Sequence, residues 1–465
     1  MKEYDLIAIG TGSVMNILNG YIARNADARV AVIDRDEPGG ICLTRGCIPS
    51  KILFYPVELL SDIWKAGQFG INLNIKNINF RKIMNRMRGI IRKDIAKIEK
   101  GLKSHPNIDY YRAEARFIAP YTLVVNGEEI KADTILICSG SRPLIPKIKG
   151  LEETGYLTSD TLLQLKNLPE SLAIIGGGYI AVEYGNFFAK LGSKVKVIEM
   201  LPRILANEEP ELSQAVENEL RKFAELHTSQ RVVEIKKEGD TKKIITRDSE
   251  NRRIVVEAEE ILLAAGRASN SDILEPEKGG IKTDRRGWIL VNEYLETSQL
   301  GVYALGDANG KFMLKNVANQ EAKVVFYNAV LGKMEKMSYD IVPYAVFTEP
   351  EIASVGLKEK EAIDKYGKNE ILIGYERYMD TGKGIAMNAE GFVKIILKKD
   401  GTILGAHIAG KNASILIQEV VNLMYAEAGS HTMLKAMHIH PALSEAVKWA
   451  FTNPMDIEAY HRVRN

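Results

Sequence analysis

The sequence predicts an α/β protein with two dinucleotide-binding units and a third, α+β domain toward its C-terminal end. Three observations predict it. A short apolar strand runs into a glycine turn at DLIAIGTG (5–12), and the same pattern returns at SLAIIGGG (171–178). Beyond about residue 340 the texture changes to alternating strands (EGFVKIILKKDGTILGAHIAG) and then helices (ASILIQEVVNLMYAEA), with no phosphate-turn motif. At 465 residues the chain exceeds what one hydrophobic core serves, and roughly 150 residues per domain suggests about three domains.

The first unit reads strand, glycine turn, helix-compatible stretch and a second strand, RVAVID (29–34). Gly10 and Gly12 permit the tight turn and let backbone N–H groups approach a pyrophosphate at the helix N-terminus. The third glycine of that pattern is replaced by Met15, so helix and strand must pack differently there. Asp34, ending the second strand, is the acid expected to bind ribose hydroxyls. Next, FRKIMNRMRGIIRKDIAKIEKGL (80–102) places apolar residues at three and four spacings with a basic opposite face, which reads as a solvated surface helix. Strand-like segments fill 108–137, and a Ser-Gly-Ser turn with two prolines after them marks a domain crossing.

The second unit carries Gly176, Gly178 and, as the permitted small third residue, Ala181, with Glu199 ending its second strand. A carboxylate there suits a free ribose 2′-hydroxyl and repels a 2′-phosphate, so NAD is favoured over NADP, although Arg203 lies four residues on. EILLAAGR (260–267) closes the unit, and GVYALGD (301–307) is a further apolar strand ending in Gly-Asp. No tandem short-period repeat is present.

Composition excludes other classes. With 46% apolar and 26% charged residues the chain is globular, and 62 basic against 60 acidic residues, without a long single-sign block, give no nucleic-acid footprint. The opening MKEYDLIAIG is too short for a signal peptide, and no segment reaches the roughly 18 apolar residues of a membrane span, so a cytoplasmic protein with no membrane partner is expected. Three cysteines make no extracellular disulfide framework. Two of them, Cys42 and Cys47, lie five apart in GGICLTRGCIPSK (39–51), which points to metal or redox chemistry. Zinc would need four ligands, and no second cysteine or cysteine–histidine pair exists, so no metal is expected.

A disulfide needs Cβ atoms about 3.8 Å apart, which a five-residue separation does not give on a regular helix. The backbone must therefore be distorted locally, with Gly39, Gly40 and Gly46 supplying the freedom and Pro49 placed where a helix could begin. Such a helix start would lower the thiol pKa of Cys47. Cys138, on a buried strand, reads as a small core residue.

Taken together, CLTRGCIPSK (42–51), GGGYIAVE (176–183), Thr297 with GVYALGD (301–307), and HPALSE (440–445) resemble the flavin-dependent pyridine nucleotide–disulfide oxidoreductases over nearly the whole chain. Within that family the resemblance is to dihydrolipoamide dehydrogenase, glutathione reductase, mycothione reductase and mercuric reductase. It implies two Rossmann-like dinucleotide-binding domains, for FAD and NAD, plus a C-terminal α+β dimerisation domain. The FAD domain would comprise 1–150 and 278–340, the NAD domain 151–277 and the interface domain 341–465.

By the same resemblance Cys42 exchanges with substrate and Cys47 lies against the flavin. Gly10, Gly12, Asp34, Gly40, Lys51, Gly140 and Asp307 would hold FAD, with Lys51 near the flavin and paired to Glu183. Gly176, Gly178, Glu183, Glu199 and Gly266 would serve NAD. His440 would be the base, oriented by Glu445, and would reach the cysteines of a second subunit, making an obligate homodimer; VPYAVFTEPEIASVG (342–356) resembles the family's interface segment. His438 reads as a packing residue.

Thr44-Arg45 in place of Asn-Val, Cys138 in place of an alanine, and Ala268 in place of a proline describe a divergent member. The chain carries no cysteine after 138, against the terminal pair of mercuric reductases and high-molecular-weight thioredoxin reductases. Glu199 disfavours glutathione reductase. The His-x-His-Pro form and the NAD site favour dihydrolipoamide, free or on a lipoyl domain, while mycothione reductase stays open because its relatives also tolerate a non-glycine third position. A non-catalytic redox-sensing flavoprotein would need neither His440 nor both cysteines.

Overall fold

A computed structural model describes residues 1–464. The first sheet is parallel and five-stranded, in the order Val302–Ala304, Ile135–Ile137, Leu6–Ile9, Val30–Ile33, Ile108–Tyr111. Leu6–Ile9 and Val30–Ile33 are buried along their whole length, because helices and connecting chain cover both faces of a parallel sheet. The chain leaves this sheet after Ile137, builds a second one, and returns through Val302, which pairs with Ile135.

The second sheet repeats the plan: Leu157–Thr158, Glu260–Leu263, Ser171–Ile175, Lys194–Ile198 and Ala224–His227, again all parallel. The C-terminal region forms a six-stranded antiparallel sheet, Tyr344–Val346, Ile352–Gly356, Ile403–Gly410, Gly391–Lys398, Ile371–Arg377, Met455–Asp456, with the helix Ala413–Tyr425 among its cover. No helix among the described residues is long and apolar enough to cross a membrane.

The amphipathic stretch forms the helix Phe80–Ser104, capped by Asn79, whose side chain accepts from the Lys82 N–H at 2.9 Å. It buries Phe80, Met84, Met87, Ile91, Ile95 and Leu102, and leaves its basic face to solvent as the periodicity requires. Phe80 meets Phe187 and Phe188 of the second unit at ring-centroid distances of 6.4 Å, so this helix helps to fix one unit against the other.

A buried charge cluster fixes the C-terminal sheet to the second unit. Lys394, only 1% exposed on the strand Gly391–Lys398, donates to Glu209 at 3.1 Å, Glu211 at 2.9 Å and Glu359 at 2.7 Å. Glu209 and Glu211 flank the start of the helix Pro210–Leu220, and Glu359 opens the helix Glu359–Tyr366. The three carboxylates are close enough to ligate a cation, and the Lys394 ammonium occupies that centre. Burial pushes the Glu211 carboxyl up, but the Lys394 charge and hydrogen bond outweigh it and hold it at about 2. Lys394→Met removes the ammonium at the centre of three largely desolvated carboxylates, so chemical denaturation should show a loss of about 3–5 kcal/mol, the cost of breaking a buried ion pair from one side.

Candidate functional site

One cavity of about 1300 Å³ runs past both glycine turns and has Cys42 and Cys47 in its wall. The turns are near copies of each other. Gly10 takes φ +103°, and a Cβ on it would stand 2.2 Å from the Cys138 carbonyl oxygen; Gly176 takes φ +116°, and its Cβ would stand 2.3 Å from the Ala264 carbonyl oxygen. Each turn is closed by the acid at the end of the next strand. Asp34 accepts from the Thr11 N–H at 2.9 Å, the Thr11 hydroxyl at 2.5 Å and the Asp36 N–H at 3.1 Å. Glu199 accepts from Gly177 N–H at 2.5 Å and Leu201 N–H at 2.8 Å. Both acids therefore shape the turn as well as lining the cavity.

Two departures flagged in the sequence find their explanation here. Met15 begins the helix Met15–Ile22 half-buried against the apolar cluster around Leu6 and Val14, whereas Ala181 at the equivalent place is fully buried. Arg203 donates to the backbone carbonyls of Ala206 at 2.8 Å and Glu208 at 2.9 Å and takes no part in the cavity wall, so it does not offset Glu199.

The cysteines sit on either side of a helix break. The helix Gly40–Thr44 ends at Arg45 (φ −151°), Gly46 takes φ −121° and ψ −110°, and the helix Cys47–Lys65 starts at once. A Cβ on Gly46 would press to 3.0 Å on the Ile41 carbonyl oxygen. The helix begins two residues before the expected start at Pro49, which is tolerated in the first turn because N–H groups there have no intrahelical partner anyway. Gly40 (φ +68°) backs onto Gly12, where an added Cβ would stand 2.7 Å from the Gly12 Cα, so the redox segment and the first glycine turn are pressed together.

The structure holds both cysteines as thiols. Cys47 opens onto the cavity, solvent-exposed yet below the outer surface. The hydrogen bond from Cys42 lowers the Cys47 thiol to about 7, with burial opposing and Lys51 assisting. The same bond, and then burial, push Cys42 well above the ordinary thiol range. Within the pair Cys47 is thus the more acidic sulfur.

Lys51, one turn on from Cys47, pairs with the buried Glu183 at 3.1 Å, and Glu183 also accepts from the Phe347 N–H at 2.8 Å. Burial pushes the Glu183 carboxyl up against the pull of Lys51. The Lys51 ammonium lies 4.1 Å from the Phe347 ring centroid. This ion pair joins the redox helix to the helix Tyr179–Lys190 behind the second glycine turn, and Phe347 brings in the C-terminal region. Gly140 (φ +69°) and Gly266 (φ +118°) line the same cavity, as does Asp307, which accepts from Ser141 Oγ at 2.5 Å and is pushed up by burial.

Cys138 packs against the apolar cluster of the first sheet, as a small core residue would, and also lines the cavity. It lies just past the strand Ile135–Ile137, half-buried, and faces the cavity beside Gly12 and Gly306. Two features fit the cavity for dinucleotides. Ser139 Oγ is buried without a hydrogen-bond partner in the wall, and a Cβ on Gly178 would meet nothing within 4 Å, leaving a cradle open over the second turn.

His440 and Glu445 are paired but lie apart from this cavity. His440 Nδ1 stands 2.9 Å from Glu445 Oε1, and Glu445 Oε2 accepts from the Ala442 N–H at 3.1 Å, so Nε2 remains free. The His440 hydrogen bond, first of all, lowers the Glu445 carboxyl. The His440 side chain is 72% exposed, beside Met437 at 97% and Ile439 at 79%. His438 is packed as expected, its side chain 7% exposed with Nε2 2.6 Å from Glu419, though not aligned as a hydrogen bond.

Sequence reasoning missed Glu321, Ser139 and Lys315. Glu321 is fully buried and accepts from the Gly306 N–H at 2.5 Å and Asn309 at 3.0 Å, fixing the Gly306–Asp307 turn from 15 residues away. An acid on the apolar face of a helix was the signal that could have found it.

A dithiol pressed against one dinucleotide turn, on a helix ion-paired through Lys51 to the helix of another, defines a two-dinucleotide disulfide oxidoreductase. Residues 4–322 match the family described as pyridine nucleotide-disulphide oxidoreductase, and residues 342–451 match its dimerisation domain. The chain belongs to that family, whose members use FAD and NAD(P)H. It is 35% identical to the mycothione reductase of Mycobacterium tuberculosis over 96% of this chain and 98% of that one. It is 32% identical to the dihydrolipoyl dehydrogenase of Bacillus subtilis over 96% of each. The fold matches the HOCl-induced flavoprotein disulfide reductase RclA of Escherichia coli with a TM-score of 0.84 at 27% identity, covering 97% of this chain and 99% of that one.

Cys42→Ala deletes the donor that stabilises the neighbouring thiolate. Alkylation of Cys47 by iodoacetamide should then lose its midpoint near 7 and need higher pH, since the thiol would hold its proton longer.

Proposed function

We propose that the protein is an NAD(H)-linked flavoprotein disulfide oxidoreductase that exchanges electrons with a dithiol or disulfide substrate. Supporting this reading above all is the contact of Cys42 with Cys47 across a helix break in a cavity shared by both glycine turns. In this reading 1–150 with 278–340 holds FAD, 151–277 holds NAD and 341–465 forms the interface between two copies.

When bound, FAD supplies two-electron transfer between the nicotinamide and the cysteine pair. Gly10, Gly12, Asp34, Gly40, Gly140 and Asp307 would hold it, with Lys51, paired to Glu183, toward the flavin, and Gly176, Gly178, Glu199 and Gly266 would hold NAD. Toward a disulfide substrate, His440 Nε2 takes the proton of the Cys42 thiol as the Cys42 sulfur attacks one substrate sulfur, forming a mixed disulfide and releasing one thiolate. His440 gives that thiolate its proton from Nε2, while Glu445 keeps Nδ1 oriented and stabilises the imidazolium. The Cys47 thiolate then attacks Cys42, releasing the second substrate thiolate, which takes a proton from solvent, and leaving Cys42–Cys47 oxidised. Oxidation of a dithiol runs these steps backward, with His440 taking the proton.

His440 is exposed and outside the cavity of its own chain, among Met437 and Ile439. We therefore assign it to the cavity of a second copy, each active centre being completed by the other subunit.

For the substrate, dihydrolipoamide is supported by the His-x-His-Pro motif and by Glu199, which favours NAD. The identity to mycothione reductases, 35%, supports the disulfide of a small thiol as the second reading. Anaerobic assays with lipoamide, mycothiol disulfide and glutathione disulfide, each with NADH and NADPH, should show turnover of one of the first two with NADH preferred. Turnover of none of them would refute the reading. His440→Ala should lower turnover at least about a hundredfold while NADH still reduces the enzyme; unchanged turnover would remove His440 from the mechanism.

A further inference from the structure

The C-terminal sheet turns one row of polar side chains toward the second unit. Tyr344 is the register partner of Ser354, Ser354 of His407, and His407 of Lys394, so the four cross adjacent strands side by side. Lys394 ends the row among its three carboxylates. At the other end Tyr344 lines the cavity together with Glu208, a buried acid of the second unit. The Tyr344 hydroxyl donates to Glu208 Oε2 at 2.9 Å, and Ser354 Oγ stands 3.2 Å from the same oxygen. Ser354 Oγ also stands 3.1 Å from His407 Nδ1, and His407 Nε2 meets the Leu357 carbonyl oxygen at 3.1 Å.

These contacts fix a proton count. A carbonyl only accepts, so Nε2 carries hydrogen, and Nδ1 of the neutral ring takes the one hydroxyl hydrogen of Ser354. Ser354 can then meet Glu208 only as an acceptor, which requires a protonated carboxyl. An ionised Glu208 beside a neutral His407 would set two acceptors against one hydroxyl hydrogen, and a buried contact would be lost. An ionised Glu208 beside an imidazolium would hold the same single proton. Burial, however, lowers His407 to about 4 and pushes Glu208 up, which puts the proton on Glu208.

We propose that Glu208, Ser354 and His407 form a one-proton latch that holds the loop 199–208 against the C-terminal sheet, and that loss of the proton weakens NADH binding. Glu208 is a positioning residue, acting on the second glycine turn through its loop: its N–H donates to the Leu205 carbonyl at 2.8 Å, and the Leu205 N–H donates to the Gly177 carbonyl at 2.7 Å. The inference rests on the NAD(H) reading above. The other charged groups facing the latch are already engaged. Glu209, 3.9 Å from His407 Nε2, and Glu211 are held by Lys394, and Lys358 pairs with Glu361 at 3.0 Å. Tyr344 is driven upward by burial and stays neutral.

The test is NADH oxidation by the holoenzyme with a quinone acceptor, which needs no disulfide substrate, separating kcat from KM between about pH 6 and about pH 9. In the wild type the KM for NADH should rise about tenfold with pH, following the loss of one proton and one buried hydrogen bond, while kcat changes little. Glu208→Gln donates to Ser354 and accepts from Tyr344 as the protonated acid does, so its KM should stay low at every pH. Tyr344→Phe removes a donor that favours the carboxylate, so the rise should move to higher pH without vanishing. A flat wild-type KM, a rise that survives Glu208→Gln, or, should that variant fail to fold, an unmoved rise in Tyr344→Phe overturns the proposal. No NADH oxidation at any pH would instead defeat the NAD(H) reading itself.

Discussion

The helix break at Arg45 and Gly46 is the constraint on which the rest of the site depends. A continuous helix would carry Cys42 and Cys47 past each other on different faces. Ending one helix at Thr44 and starting the next at Cys47 folds the two sulfurs into contact, and places Cys47 in a first turn, where unpaired N–H groups favour a thiolate. The break is held from outside as well as within. Arg45 pairs with Asp36 at 2.6 Å and with Asp160 at 3.1 Å, so the residue between the cysteines ties the first unit to the entry of the second.

Around that break the two glycine turns use one solution twice. An acid at the end of the second strand accepts N–H groups from the turn, and glycine backbone stands where any side chain would strike a carbonyl. The Lys51–Glu183 pair spans the gap between them. Because Glu183 is buried and further bound by the Phe347 N–H, loss of either partner would leave a desolvated charge and loosen all three regions at once. The Lys394 cluster does the same on the far side of the second unit. A cavity that must accept two cofactors in fixed relation needs walls that do not drift, and buried ion pairs between domains supply direction as well as cohesion.

Much of this was legible in the sequence because it is written locally. Gly10, Gly12, Gly176 and Gly178 report backbone geometry, Asp34 and Glu199 follow them at fixed distance along the chain, and the cysteine spacing forces a distortion wherever it occurs. The Lys51–Glu183 contact came from family resemblance, since 132 residues separate the two. What stayed hidden depends on side-chain direction. Arg203 turned to backbone carbonyls, Cys138 faced the cavity as well as the core, and Lys315 found Ser13 across 302 residues. No periodicity or composition encodes such choices. They follow from packing decided by the whole chain.

In the proposed function Cys42 and Cys47 form a two-electron couple fed by nicotinamide through a flavin. Its most direct test is to add one equivalent of NADH per protomer to the oxidised holoenzyme without oxygen and count thiols by mass. NADH and one proton should convert the Cys42–Cys47 disulfide into two new thiols on those residues alone. Appearance of no new thiol while NADH is consumed would contradict it.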